Sequence, residues 1–219
     1  MNYFKLLERL SGVYTKHQGQ TFTSRQIVSM IKKVIPFKEC QIIGNDTLSV
    51  HNTNLQVSGV YDPEMDQDQL PPIELEIAFP RKQPNFKFSE FDLTQSQWNN
   101  LVVDIACVLG HEFVHMEQFR KRNFRYGRNY VSASSTDATR QAQEYYGIPD
   151  EVDAYAWTTA ANMVLGLIEN GKPYTVERTK VYQVYRSVFD KNHPVVVKLK
   201  NKTTRYYKLL EQQYYATYH

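Results

Sequence analysis

From Gln95 to about Asn123 the chain contains no proline, and its apolar residues recur at helical spacing. Trp98, Leu101, Val102, Ile105, Val108 and Leu109 fall on one face, and Thr94 with Gln97 fits a capping box at the start. A chain with such a helix is not all-β. Upstream the period is different. IELEIAF at residues 73–79 alternates Ile73, Leu75, Ile77 and Phe79 with Glu74, Glu76 and Ala78, a strand with one face on a core and one on water. Residues 40–44 and 47–61 read as strands too, separated by Asn-Asp, Pro and Asp-rich turns. Ahead of them, residues 2–10 put Tyr3, Leu6, Leu7 and Leu10 on one helical face. A second helix, capped by Thr23 or Ser24, runs through Ile27, Val28, Ile31 and Val34 to the stop at Pro36.

Beyond the long helix, residues 124–143 lose the period and read as loop. It returns after Pro149, with Asp150 as cap and Val152, Ala156, Met163, Val164 and Leu167 as the apolar face, and stops at Gly171-Lys172-Pro173. Further helices are expected around residues 175–189 and after Pro194. The order is α-α-β-β-β followed by a helical half, an α+β class. With 219 residues, no internal repeat and no linker, one domain is expected, mixed to about residue 93 and helical from about 94 to 219.

Composition narrows the function classes. Hydrophobic residues at 42% exclude wholesale disorder, and a net charge of +3 spread over both signs does not mark a nucleic-acid or membrane binder. Cys40 and Cys107 are the only cysteines, with no C-x-x-C, so neither a disulfide scaffold nor a zinc ribbon is available. The first ten residues, MNYFKLLERL, lack a signal-peptide core, and the apolar stretch Leu101 to Gly110 is too short to span a bilayer. A cytoplasmic protein without a membrane partner is expected.

The chemistry lies inside the long helix, where the chain reads His111-Glu112-x-x-His115. Positions i and i+4 share a face, so two imidazoles can reach one metal ion, while Glu112 points off that axis towards a water. A catalytic zinc site needs a third protein ligand. The downstream candidates are Asp137, Glu144, Asp150, Glu151, Asp153, Glu169 and His193. Glu151 is preferred, because it opens the next helix, after room for the chain to turn back.

HEFVHMEQ followed by GIPDEVDAYA resembles the zincin metallopeptidases of the gluzincin type. The resemblance covers residues 98–165 and rests on His111, Glu112, His115, Glu151, Asp153 and Ala154. It implies a short antiparallel sheet over the active-site helix, a helical C-terminal half, and Zn2+ held by His111, His115 and Glu151. It also implies hydrolysis of a peptide or protein substrate, with Glu112 as general base. Many gluzincins carry Asp four residues after the ligand Glu; this chain has Tyr155. That residue is assigned as donor to the developing oxyanion, with Tyr145, Tyr146 and Arg120 as alternatives. The chain resembles also the short zincin-like proteins encoded by tailed phages, and association with a virion is then the alternative to a cytoplasmic location.

Each residue has a plainer reading. Glu112 can be a solvated helical carboxylate, Glu151 a first-turn acid favoured by the helix dipole, and Asp153 the same unless it orients a ligand histidine. Asp104 is expected to face solvent and Gln118 to be surface-polar, although Gln118 can touch the site. Cys107, Trp98 and Trp157 are expected in the core. Arg120, Lys121, Arg122, Arg125 and Arg128, interleaved with Phe124, Tyr126 and Tyr130, can hold phosphates and stack bases, or merely close a helix against its dipole. Two alternatives to a zinc peptidase follow. One is a catalytically silent zincin scaffold; the other is a nucleic-acid-associated protein using residues 120–128.

Overall fold

Two capping boxes set the starts of the helices that frame the first half of the chain. In the computed structural model, which describes residues 2–35, 37–48, 55–81, 83–126 and 137–219, Thr23 accepts from the Gln26 amide and the Gln26 side chain accepts from Thr23. Thr94 and Gln97 exchange the same two bonds, at 3.2 and 2.8 Å. Each box satisfies two of the amides that a helix start leaves without partners.

Contacts group the chain into residues 1–112 and 113–219. In the first group α1 (Tyr3–His17) and α2 (Ser24–Val34) precede β2 (Cys40–Leu48), β3 (Gln56–Tyr61) and β4 (Ile73–Pro80). The short β1 (Thr21–Thr23) lies between α1 and α2, α3 (Pro63–Gln67) between β3 and β4, and β5 (Asn85–Lys87) after β4. The sheet order is β2-β4-β3, with β2 parallel and β3 antiparallel to β4, while β1 and β5 form a separate antiparallel pair. The expected all-antiparallel sheet is therefore mixed. Alternation carries no record of strand direction, since both pairings put every second side chain on one face.

Ile73, Leu75, Ile77 and Phe79 are fully buried and the residues between them half-buried, so the alternation in IELEIAF reads the core face correctly. Tyr3, Phe4, Phe88 and Trp98 are fully buried as well. The Trp98 indole donates to the Leu10 carbonyl at 2.9 Å, and Phe88 stacks on Tyr14 at 5.2 Å. Of the segment 47–61, residues 49–54 lie outside the described residues.

The long helix α4 (Gln95–Lys121) runs from the first group into the second. Its predicted apolar face is buried, Val108 only partly. Beyond it come α5 (Ala138–Gly147), α6 (Pro149–Asn170), a 3-10 turn (Val176–Arg178), α7 (Lys180–Val188) and α8 (Pro194–Tyr218). Residues 138–143, part of the segment expected as loop, are helical and belong to α5. Asp137 caps α5 through the Arg140 amide, and none of its residues is buried, which is why no apolar period announces it. Gly171 ends α6 at φ +67°, the left-handed conformation that glycine adopts without strain. Val152, Ala156, Tyr182, Tyr185, Phe189, Val196 and Leu199 make the second core. Trp157, expected in a core, is only half-buried. Among the described residues no helix is long and apolar enough to cross a membrane.

Candidate metal centre

His111 and His115 stand one turn apart on α4, and Glu151 sits in the first turn of α6, where Pro149 fixes the helix entry. One ligand atom from each of the three lies within 4.8 Å of the others, and among the described residues they form the cluster able to hold a metal ion. His115 Nε2 is 3.5 Å from Glu151 Oε1, with the two side chains 12% and 11% exposed. A tetrahedral ion bound at ordinary distances to nitrogen and oxygen separates its ligands by about 3.3 Å. The donor set and its spacing fit a metal.

The other candidate ligands have different partners. Glu144 lies on α5 and pairs with Arg140 at 3.3 Å. Asp137 and His193 cap α5 and α8, and Glu169 accepts from the Tyr174 hydroxyl. Asp150 does not cap α6, as the sequence suggests; Ile148 occupies the cap position without a side-chain bond. The Asp150 carboxylate instead takes both Arg122 nitrogens, at 2.8 and 2.7 Å.

Glu112 is 7% exposed. Beside it β3 comes so close that a Cβ at Gly59 would stand 3.2 Å from Glu112 Cγ and 2.5 Å from Val108 Cγ1. Any larger residue there would make the Val108 or Glu112 side chain, or the strand, give way. β4 is the central strand with both edges paired; among the described residues β3 is an edge strand.

Around His115 a chain of polar groups extends outward. Gln118 Oε1 lies 3.1 Å from His115 Nδ1, and Gln118 Nε2 donates to the Asp150 carbonyl at 3.2 Å and to Asp153 at 3.3 Å. Asp153 also accepts from Lys202 of α8 at 2.6 Å. Burial, then the charge of Asp153, push the nearby Tyr206 hydroxyl pKa up. Gln118 thus touches the site rather than serving as mere surface. Lys202 has no local signal; it is one cation among several between residues 198 and 208.

Four tyrosines gather near Glu151. Tyr155, one turn further along α6, has its hydroxyl 3.5 Å from that of Tyr145, and its ring lies against Tyr146 and Tyr185. Burial first, and then the Glu151 charge, hold the Tyr145 hydroxyl well above its usual pKa. A hydroxyl so held stays a hydrogen-bond donor across the neutral range. The Tyr185 hydroxyl is buried with no hydrogen-bond partner among the described residues.

Of the basic segment, Arg120, Lys121 and Arg125 are exposed, whereas Arg122 is clamped by Asp150 and lies over Phe119 at 5.0 Å. The hydrogen bond to Asp150 raises its pKa. Arg128 and Tyr130 lie outside the described residues. Asp104 faces solvent, as expected. Cys107 is buried behind α4, its thiol 4.0 Å from the Tyr3 hydroxyl, and burial pushes it up to about 12. A shallow cavity of about 210 Å3 lined by Leu55, Phe86, Phe91 and Asp92 contains none of the predicted site residues. No protein-family model, no curated protein and no solved structure matches the chain.

Proposed function

We propose that the chain is a zinc-dependent peptidase with a zincin-like arrangement, in which His111, His115 and Glu151 hold the metal and Glu112 is the general base. The observation that carries this reading is the convergence of two histidines and one carboxylate from separate helices, beside a buried glutamate that is none of the three. Two histidines and a carboxylate suit zinc and iron(II) alike. A carboxylate between the histidines, near the site yet outside the ligand set, favours hydrolysis, because a base is what water attack needs.

Zinc, when bound, supplies Lewis acidity towards a carbonyl and acidifies water. The protein's own part is proton handling and orientation. A Glu112 carboxylate oxygen takes a proton from the attacking water and delivers it to the leaving amine nitrogen as the peptide bond breaks. The oxyanion that forms on the former carbonyl takes a hydrogen bond from Tyr155, with Tyr145 beside it as second donor. An extended peptide would add to the β3 edge, where Gly59 brings strand backbone against Glu112. The nucleic-acid alternative is weakened by Arg122, whose guanidinium is already bound to Asp150.

Elemental analysis of protein purified without added metal tests the centre: about one zinc per chain is expected in the parent and little in His115→Ala. Glu112→Gln keeps every ligand and the side-chain shape. Its zinc content should match the parent, while cleavage of a peptide library should fall about 10²-fold or more. A parent that holds zinc and cleaves nothing would replace the enzyme by the silent scaffold.

A further inference from the structure

The hydrogen bonds around Gln118 decide which of its amide atoms faces which neighbour. The Asp150 carbonyl and the Asp153 carboxylate can only accept, and both lie within 3.3 Å of the same Gln118 atom. That atom is therefore the amide nitrogen, and the oxygen is turned towards His115 Nδ1 at 3.1 Å. An amide oxygen has no proton to give, so Nδ1 must carry one, and in the neutral ring Nε2 is then the atom with the lone pair. Nε2 is the nitrogen that approaches Glu151.

We infer that Gln118 is a positioning residue that selects the metal-binding tautomer of His115, and that Lys202, through Asp153, keeps the Gln118 amide from turning over. This rests on the metal-centre reading of His111, His115 and Glu151. A neutral amide suits the place better than a carboxylate, because it accepts from the imidazole on one side and donates to Asp153 on the other. A glutamate in its place would accept equally well but would set a second negative charge against Asp153. Lys202 belongs to α8, so a cation far along the chain steadies the site through two side chains. The histidine tautomer is set by what the ring's other nitrogen bonds, and loss of such an outer partner weakens metal affinity about 10–100-fold.

The test reads the tautomer without metal. Long-range proton–nitrogen spectra of 15N-labelled, metal-free protein, at a pH where the 15N shifts themselves show a neutral His115 ring, should show the Nδ1–H form in the parent. In Gln118→Met that form should give way to a mixture with Nε2–H, and zinc affinity by chelator competition should fall about 10–100-fold. Gln118→Glu should keep the Nδ1–H form, which a merely space-filling role for Gln118 does not explain. Lys202→Met should lose zinc affinity in the same direction but by less; if Gln118→Met does not fold, Gln118→Glu and Lys202→Met carry the test. An unchanged tautomer and unchanged zinc affinity in Gln118→Met, or loss of the Nδ1–H form in Gln118→Glu, would overturn the inference. A parent that binds no zinc would sink the metal centre instead, and the metal-free spectra would still decide the role of Gln118.

Discussion

Gly59 and Cys107 show how single atoms set tolerances on opposite sides of α4. At Gly59 even one methyl group would stand 2.5 Å from Val108 Cγ1, so Gly59→Ala forces the Val108 side chain or the strand to move. Overpacking of this kind costs about 1–3 kcal/mol, read as a lower urea midpoint, and it should also displace Glu112 and depress any peptidase activity. At Cys107 the cost appears with pH. Its folded pKa is raised from 9.0 to about 12, so above pH 9 the unfolded chain releases a proton that the folded chain retains. The thiol's contribution is intact below pH 9 and is lost as pH climbs towards 12, at up to about 1.4 kcal/mol per pH unit. Urea unfolding from pH 8 to 11 should show a shallower decline in Cys107→Ala than in the parent; parallel declines would count against a buried neutral thiol.

Elements with both a period and a punctuation mark were legible in the chain. Thr23, Thr94 and Gly171 mark ends of α2, α4 and α6, and each lies where its side chain or backbone predicts. What could not be read depended on partners distant in sequence. Whether β2 runs with or against β4 is decided by the connection between them, not by Ile42 or Leu75. The local chain makes Asp150 read as a cap, whereas Arg122, distant in sequence, takes its carboxylate. The two histidines were legible because helical spacing alone joins them, whereas the contact of Gln118 with Asp153 spans separate helices. Lying on a helix does not separate Glu151 from Glu144, because α5 is helical too. Position does: Glu151 approaches His115, and Glu144 pairs with Arg140. Glu151→Ala should weaken zinc binding by more than the 10–100-fold of an outer-sphere loss, and Glu144→Ala should leave it nearly unchanged. Chelator competition on both variants checks this, and the reverse order would transfer the ligand role.

For the whole molecule, a metal that binds only the folded chain adds its binding free energy to stability. At a free zinc concentration of 1,000 times the dissociation constant this amounts to about 4 kcal/mol. Thermal unfolding with and without a chelator should therefore differ by several degrees in the parent and much less in His115→Ala; equal shifts would place the zinc elsewhere. The two tryptophans give such an experiment a second channel. Trp98 is buried within residues 1–112 with its indole bonded to Leu10, and Trp157 is half-buried within residues 113–219. Each half of the chain thus carries a single tryptophan, one shielded and one partly wet. Trp98→Phe and Trp157→Phe leave one tryptophan apiece, so under excitation selective for the indole the melting of either half can be followed by its own light with no dye or label added.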